Sequence, residues 1–121
     1  MPEITFMTIG FENRPTPKTM STPWGTADHV EKIAEGVIEV ETPSHGGIGI
    51  EKPLAEQRLS TEARAKAIQQ GGWFWFEEDC NWAIPVAEMP DLFTEPRHGP
   101  ERVAEILERW HPEYLAARKE A

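Results

Sequence analysis

Residues 71–84 read Gly71-Gly72-Trp73-Phe74-Trp75-Phe76-Glu77-Glu78-Asp79-Cys80-Asn81-Trp82-Ala83-Ile84, so an aromatic run passes directly into three acids and the only cysteine of the chain. Four consecutive aromatic residues favour a β-strand, because flat, rigid side chains fit a pleated sheet better than a helix. The two glycines end whatever element precedes this strand. The acids and the thiol therefore fall where a strand ends, which makes the segment the first candidate for a functional site.

The composition is that of one soluble globular domain. The chain has 121 residues, of which 39% are hydrophobic and 27% are charged, and these values suit a single folded core. The sequence has no apolar run long enough to span a membrane, and it does not start with a basic segment followed by an apolar one. We therefore expect a cytoplasmic protein with no membrane partner. A single cysteine excludes an internal disulfide and a multi-cysteine zinc site.

The charge balance is strongly acidic, with 12 basic and 21 acidic residues and a formal net charge of −9 at pH 7. Such a surface repels phosphate backbones, so direct binding of nucleic acid is not expected. An acidic protein can instead occupy a basic groove on a partner, including a groove that normally holds DNA or RNA. The alternative is that the acidity only supports solubility.

The N-terminal part of the chain is predicted to be separate from the main domain. Side chains alternate in character from Ile4 to Ile9, which is typical of a strand. Three prolines then interrupt residues 13–23, and each of them removes a backbone donor and restricts the residue before it. We expect an N-terminal strand and a proline-rich linker over residues 1–20, and a single α+β domain over residues 21–121.

One β-hairpin follows from the alternation of side chains. Residues 37–41 alternate clearly, and the alternation resumes over residues 48–50 after a glycine-containing loop. The tip of this hairpin carries Ser44 and His45. The hairpin and the aromatic strand together predict a small, mainly antiparallel sheet.

Two helices are predicted before the aromatic strand. A short helix is expected over residues 30–36, with a cap at Thr26 or Asp28. A second helix is expected from about residue 60 to the glycine pair at residues 71–72.

Further helices are predicted after the aromatic strand. A short helix is expected from about Asp79, although Pro85 would fall inside it, and a further strand is the alternative. After a loop over residues 90–100, Pro100 starts an amphipathic helix whose apolar positions are Val103, Ile106, Leu107 and Trp110. Residues 113–119 add a last helical turn or two. The predicted fold class is α+β, a small mainly antiparallel sheet with helices packed on one face.

Cys80 and His45 form the sharpest catalytic hypothesis. A thiolate nucleophile needs a neighbouring base, and the base needs an orienting acid such as Glu77, Glu78 or Asp79. This arrangement would make the protein a small hydrolase or transferase. The alternative is that Cys80 is an inert core thiol, whose pKa the adjacent acids would raise. No spacing of histidines and acids predicts a metal site, and no motif predicts a cofactor.

The aromatic strand also predicts an interaction face. Successive residues of a strand point to opposite sides, so Trp73 and Trp75 lie opposite Phe74 and Phe76. One pair faces the helices. The other pair must be covered by the N-terminal segment, by a second subunit in a homodimer or by a partner, because two large aromatic side chains are rarely left exposed together.

Several short segments together carry a family resemblance. They are Thr22-Pro23-Trp24-Gly25, Ile33-Ala34-Glu35-Gly36-Val37, Thr42-Pro43-Ser44-His45-Gly46-Gly47-Ile48, Gly72-Trp73, Glu77-Glu78-Asp79-Cys80-Asn81-Trp82-Ala83-Ile84 and Pro90-Asp91-Leu92-Phe93. The set resembles a small uncharacterised domain family of bacteriophage and plasmid proteins. The similarity covers residues 22–114, leaves the N-terminal strand outside and implies no assigned reaction.

The resemblance implies a biological setting. Small acidic proteins of phages and plasmids are frequently inhibitors of bacterial defence, so we expect an inhibitor of the anti-CRISPR or antirestriction type in the cytoplasm of a bacterial host cell. Its partner would be a bacterial immune effector protein, bound at its nucleic-acid-binding surface if the acids mimic DNA or RNA. The residues predicted to form the binding face are Ser44, His45, Trp73, Trp75, Glu77, Glu78, Asp79 and Trp82.

Overall fold

The fold is built around an antiparallel sheet of five strands. A computed structural model describes residues 20–120. The strands are β1 (Met20–Thr22), β2 (Gly25–Ala27), β3 (His29–Ala34), β4 (Val37–Glu41), β5 (Gly46–Glu51), β6 (Ile68–Gln70) and β7 (Trp73–Glu77). Strands β1 and β2 form a separate hairpin, and the main sheet has the order β3-β4-β5-β7-β6 with every neighbouring pair antiparallel. The predicted strand at residues 4–9 lies outside the described residues.

The helices pack on one face of this sheet. They are α1 (Lys52–Arg58), α2 (Thr61–Arg64), α3 (Ala83–Glu88), α4 (Pro100–Trp110) and α5 (Pro112–Glu120), with short 3₁₀ turns at Pro90–Leu92 and Pro96–His98. The main core joins apolar side chains of the sheet, such as Phe74 and Phe76, to those of the helices, such as Ile84 and Leu107. The predicted α+β class is therefore confirmed.

The two faces of β5 differ because glycines alternate with isoleucines along it. Its isoleucines are fully buried in the helix-side core. A Cβ on Gly49 would lie 2.7 Å from Cζ3 of Trp75, and a Cβ on Gly47 would lie 2.5 Å from Cη2 of Trp24. The two glycines thus leave the space that the indole rings occupy on the opposite face.

The β1–β2 hairpin covers that opposite face. Trp24 packs edge-on against Trp75 with ring centroids 5.9 Å apart, and the ring centroid of Trp73 lies 5.7 Å from that of Trp75. Ala27, Ile38 and Val40 complete this second core. Trp75 is thus covered within the chain itself, by a hairpin over residues 20–27 that was not predicted, and it is 1% exposed.

The predicted helix over residues 30–36 is wrong, because this segment is strand β3. Val30 pairs with Val40 of β4, and Gly36 adopts a φ of +82° in the tight turn between the two strands. Asp28 caps no helix, and its backbone N–H donates to the carbonyl of Glu41 at 3.0 Å. Pairing with a strongly alternating neighbour outweighs the local helix signal.

The predicted helix from residue 60 to the glycine pair is also wrong over most of its length. Ser60 does cap a helix, since its Oγ accepts from the N–H of Ala63 at 3.0 Å, but α2 ends at Arg64. The next element is strand β6, which pairs with β7. Gly71 and Gly72 have φ values of +65° and +84°, as a two-residue hairpin turn requires. Helix α1 was not predicted.

The predictions after the aromatic strand are closer to the structure. The helix expected from about Asp79 begins only at Ala83, after a turn. Pro85 is the third residue of α3, where a backbone N–H has no partner inside the helix, so the proline is tolerated. The amphipathic helix from Pro100 is confirmed as α4, although Trp110 at its end is 53% exposed.

Candidate functional site

The turn after β7 is organised by one carboxylate. Glu77 accepts hydrogen bonds from the backbone N–H groups of Asp79 and Cys80, both at 2.9 Å, and of Asn81 at 3.2 Å. Partial burial opposes ionisation of this carboxyl group, but the N–H donors outweigh the burial and hold the pKa of Glu77 below its usual value. Glu77 therefore stabilises the turn. The backbone N–H groups of the turn occupy acceptor positions of the Glu77 carboxylate.

Cys80 lies inside this turn as a protonated thiol. Its Sγ is 3.4 Å from Oε1 of Glu77 and 3.4 Å from Oδ1 of Asn81. Burial, then the hydrogen bond and charge of Glu77, and then the charge of Asp79 raise the pKa of the Cys80 thiol to about 11. A thiol that keeps its proton at neutral pH is a weak nucleophile.

The loop that carries Ser44 and His45 is closed by Thr42. The N–H and the hydroxyl of Thr42 donate to the carbonyl of His45 at 2.7 and 2.8 Å, and the N–H of His45 donates back to the threonine hydroxyl at 3.0 Å. The side chains of Ser44 and His45 are exposed. This loop adjoins the β7 turn, because the N–H of Glu78 donates to the carbonyl of Gly46 at 2.9 Å.

The structure thus brings the two predicted segments together without joining the two predicted catalytic side chains. Over residues 20–120, no hydrogen bond connects the imidazole of His45 with the thiol of Cys80, whose partners are the side chains of Glu77 and Asn81. The charges of Glu77 and Asp79 raise the pKa of the Cys80 thiol and so keep it protonated. None of these contacts activates the thiol.

The tryptophans predicted to bind a partner belong largely to the interior. Trp75 is 1% exposed, and its indole N–H donates to the carbonyl of Gln70 at 3.0 Å. Trp82 is 9% exposed and packs in the helix-side core. Trp73 is half-buried against Trp75.

Exposed carboxylates form a row at one end of the sheet. We call this row the acidic sheet end, and it consists of Asp28, Glu41, Glu78 and Asp79. The backbone connects them, because Asp28 bonds to Glu41, Glu41 pairs with Gly46 and Gly46 bonds to Glu78. Neighbouring strands lie about 4.8 Å apart, so the row crosses about 15 Å of the molecule. In the described part of the chain, none of these four carboxylates forms an ion pair.

Next to this row lies a cavity of about 230 Å³, which we call the His98 cavity. Its polar and aromatic lining consists of Glu39, Glu78, Trp82, Arg97, His98 and Arg102. The sequence predicted two of these side chains, Glu78 and Trp82, as site residues. The others were missed. Arg97 and His98 belong to the Pro96-Arg97-His98-Gly99-Pro100 segment, in which no local pattern shows what the basic side chains will face, and Glu39 and Arg102 lie outside it.

Arg97 joins this segment to the sheet. Its guanidinium pairs with Glu39 of β4, and also with Glu31 at 3.5 Å and Glu95 at 3.2 Å. Burial raises the pKa of Glu39, and the charge of Arg97 offsets part of that rise. Within the cavity wall, Arg97 and Glu39 therefore largely neutralise each other.

His98 is the buried polar side chain of the cavity wall. It is 6% exposed, and its ring lies 5.8 Å from that of Trp82 and 5.3 Å from that of Phe93. Burial and the charge of Arg97 lower the pKa of His98 and favour the neutral imidazole. Its Nδ1 is buried and has no hydrogen-bond partner among residues 20–120.

A second cavity, of about 550 Å³, is lined by the end of α1, by Leu59 and Ser60 that follow it, and by α3, α4 and α5. Its polar group is Glu88, whose side chain is 8% exposed. This carboxylate accepts from the N–H of Ser60 at 2.7 Å, from the Ser60 hydroxyl at 2.6 Å and from the hydroxyl of Tyr114, and Nε of Arg118 lies 3.3 Å away. We call this set the Glu88 cluster. Its hydrogen bonds hold three helices together.

The part of the chain that the structure describes contains no group of three or more His, Cys, Asp or Glu side chains placed to hold a metal ion. None of its helices is both long enough and apolar enough to cross a membrane.

The antiparallel sheet, the helices on one face and the mixed-charge cavity together define a small α+β domain. Residues 17–121 match the family described as Domain of unknown function (DUF7007), and the chain belongs to this family. No curated protein and no solved structure matches the chain. The expectation of an uncharacterised domain family is thereby confirmed.

Proposed function

We propose that this domain is a protein of a bacteriophage or another mobile element that inhibits a bacterial defence complex by direct protein binding. In this proposal the acidic sheet end occupies a basic surface of the effector, of the kind that normally holds nucleic acid. The observation that carries the proposal is the row of exposed carboxylates at one end of the sheet, none of which forms an ion pair with a residue between 20 and 120.

The distribution of charge supports this role. The net charge of −9 is a property of the whole surface, but Asp28, Glu41, Glu78 and Asp79 concentrate part of it on adjacent strand ends. Some other acids of the described part, such as Glu31 and Glu39, are paired with arginines. Unpaired carboxylates on a rigid sheet end can meet a basic surface without first breaking internal ion pairs.

The hydrogen bonds and the burial of the predicted binding residues leave a binding face that is smaller than the one predicted from the sequence. Glu77 is engaged by backbone donors, and Trp75 and Trp82 are buried. The face then comprises the acidic sheet end and the exposed Ser44-His45 loop beside it. The origin in a mobile element rests on the sequence resemblance, which is an argument by association.

The hydrolase or transferase alternative has less support. A catalytic Cys80 would need a lowered pKa and a base, whereas its pKa is raised to about 11 and its neighbours are carboxyl and amide oxygens. Neighbouring carboxylates of this kind disfavour the thiolate form of Cys80.

The test is phage plating on bacteria that carry an active CRISPR or restriction system and express the full chain. We expect the wild-type chain to restore plaque formation on one of these hosts. A Glu41→Lys, Glu78→Lys, Asp79→Lys variant should lose this protection of the phage and should no longer restore plaque formation. A matched variant, Glu56→Lys, Glu105→Lys, Glu108→Lys, changes the net charge equally at exposed helical positions and should keep it.

Folding of both variants is checked by circular dichroism before the comparison. Equal loss of protection in the two variants would show that net charge matters and the sheet end does not. Absence of protection by the wild-type chain against every CRISPR and restriction system tested would overturn the proposed function itself.

A further inference from the structure

The proposed function leaves the His98 cavity unused, although its charges are arranged unusually. Of its four charged side chains, Arg97 and Glu39 are paired with each other. The remaining two, Glu78 and Arg102, face the same cavity, yet neither forms an ion pair with any residue between 20 and 120. The cavity thus offers one free anion and one free cation that do not neutralise each other.

His98 adds an independent observation that points to a ligand. A buried polar nitrogen without a hydrogen bond is destabilising, so such atoms are rare in folded proteins and call for an explanation. Nδ1 of His98 is such an atom, on a side chain that is 94% buried and lines the cavity. A polar ligand that reaches the ring of His98 would supply the missing partner.

We propose that the His98 cavity binds a free α-amino acid as its zwitterion. The ligand carboxylate pairs with Arg102, whose planar guanidinium suits two-point binding of a carboxylate. The ligand ammonium group pairs with Glu78, and the ligand side chain lies against Trp82 and Ile48. The imidazole of His98 forms part of the same cavity wall.

Charge favours an amino acid over the obvious competitors. The volume of about 230 Å³ corresponds to about seven or eight water molecules, which is enough room for one amino acid. Phosphate would meet the carboxylate of Glu78, and a divalent cation would meet the guanidinium of Arg102. A ligand that carries both signs of charge fits the lining as it stands.

The test is isothermal titration calorimetry of the full chain with each common L-amino acid, together with NMR chemical-shift mapping. We expect at least one amino acid to bind and to shift the indole resonance of Trp82. Loss of one charge-assisted hydrogen bond costs about 1.5–3 kcal/mol, so Glu78→Gln and Arg102→Gln should each weaken binding by about tenfold or more. The matched controls Glu105→Gln and Arg109→Gln change exposed residues of the same helix as Arg102 and should bind normally.

Ligand analogues locate each charge. The carboxamide of the best amino acid lacks the carboxylate and should bind the wild-type chain more weakly, whereas Arg102→Gln should no longer distinguish the two ligands. The N-acetyl derivative lacks the ammonium group and gives the corresponding test of Glu78→Gln.

Three results would overturn the inference. They are no binding of any amino acid, equal affinity in the Arg102→Gln variant, and binding of acetate or inorganic phosphate as strong as that of the best amino acid. The titrations use the chain without a partner protein, so their outcome is independent of the plating assay.

Discussion

Replacing Tyr114 by phenylalanine should lower the free energy of unfolding by about 1.5–3 kcal/mol, the range for a hydrogen bond to a charged group. The hydroxyl of Tyr114 donates to Glu88, and the tyrosine is 3% exposed. Phenylalanine keeps the ring and its apolar contacts and removes only the donor. The change therefore isolates one hydrogen bond of the Glu88 cluster.

Glu88→Ala should be more severe. It leaves the N–H and hydroxyl of Ser60, the hydroxyl of Tyr114 and the guanidinium of Arg118 without their shared acceptor. Removing one partner of a buried charged network costs about 3–5 kcal/mol. In the Glu88→Ala background, Tyr114→Phe should then cost little, since its acceptor is already gone, which gives a coupling energy of about 1.5 kcal/mol or more.

The assay is urea unfolding followed by tryptophan fluorescence and circular dichroism, with thermal melting as a second measurement. For a domain of this size, 1 kcal/mol corresponds to about 4 °C in Tm. Glu105→Ala, on the exposed face of α4, is the matched control and should stay within about 0.5 kcal/mol of wild type. A Tyr114→Phe variant as stable as this control, or costs that add without coupling, would refute the role assigned to the Glu88 cluster.

Three further measurements test the turn and the sheet. The rate of alkylation of Cys80 by iodoacetamide should follow an apparent pKa of about 11. Because this folded-state pKa exceeds the pKa in the unfolded chain, the stability of wild type should fall as the pH rises from about 9 towards 11, and that of Cys80→Ala should fall less. An apparent pKa near that of free cysteine would contradict the burial of the thiol proton. The pKa of Glu77 is lowered on folding, so wild type should lose stability as the pH falls below about 4.5. Glu77→Gln should be less stable at neutral pH, and its free energy of unfolding should change less with acid. Parallel pH curves for the two proteins would contradict the role of Glu77 in stabilising the turn. Gly49→Ala places a Cβ 2.7 Å from the ring of Trp75 and should lower the free energy of unfolding in urea by about 1–3 kcal/mol, whereas unchanged stability would show that the indole can move aside.

The parts of the fold that could be predicted from sequence are those with strong local periodicity. The alternation of β4 and β5, the aromatic run of β7 and the helical spacing of α4 each carry enough signal to be read without their neighbours. The alternation along β7 also predicted correctly that Phe74 and Phe76 lie opposite Trp73 and Trp75, because the period of a strand admits no other arrangement.

The two helices that were predicted in place of strands fall on the two edge strands of the sheet. Strand β6 is exposed along its whole length, and β3 is only partly buried, so neither shows the clear alternation of a half-buried strand. Both are held by pairing with a neighbour, β7 in one case and β4 in the other. The glycines that ended the two predicted helices are in fact the turns of these hairpins. A glycine with positive φ ends a helix and closes a hairpin equally well, so the sequence alone did not distinguish the two.

The candidate sites were predictable only where they coincide with the aromatic strand. Glu78 and Trp82 follow that strand directly, whereas Arg97, His98 and Arg102 reach the cavity from a distant loop and from α4. Isolated basic residues in a proline-containing loop give no hint of what they will face. The link between the two segments is made by tertiary packing, chiefly by Arg97 against β4 and by the ring of His98 against Trp82.

Glu78 belongs both to the acidic sheet end and to the His98 cavity, so its substitution alone cannot separate the two proposals. Asp79 and Arg102 can, because Asp79 is exposed beside the turn and Arg102 lines the cavity from α4. Asp79→Asn should weaken binding of a basic partner and leave amino-acid binding intact. Arg102→Gln should do the reverse, and it should even favour the partner slightly by removing a nearby positive charge. If both variants impaired both activities, the two surfaces would have to act as one site, with the amino-acid-like ligand supplied by the partner protein itself.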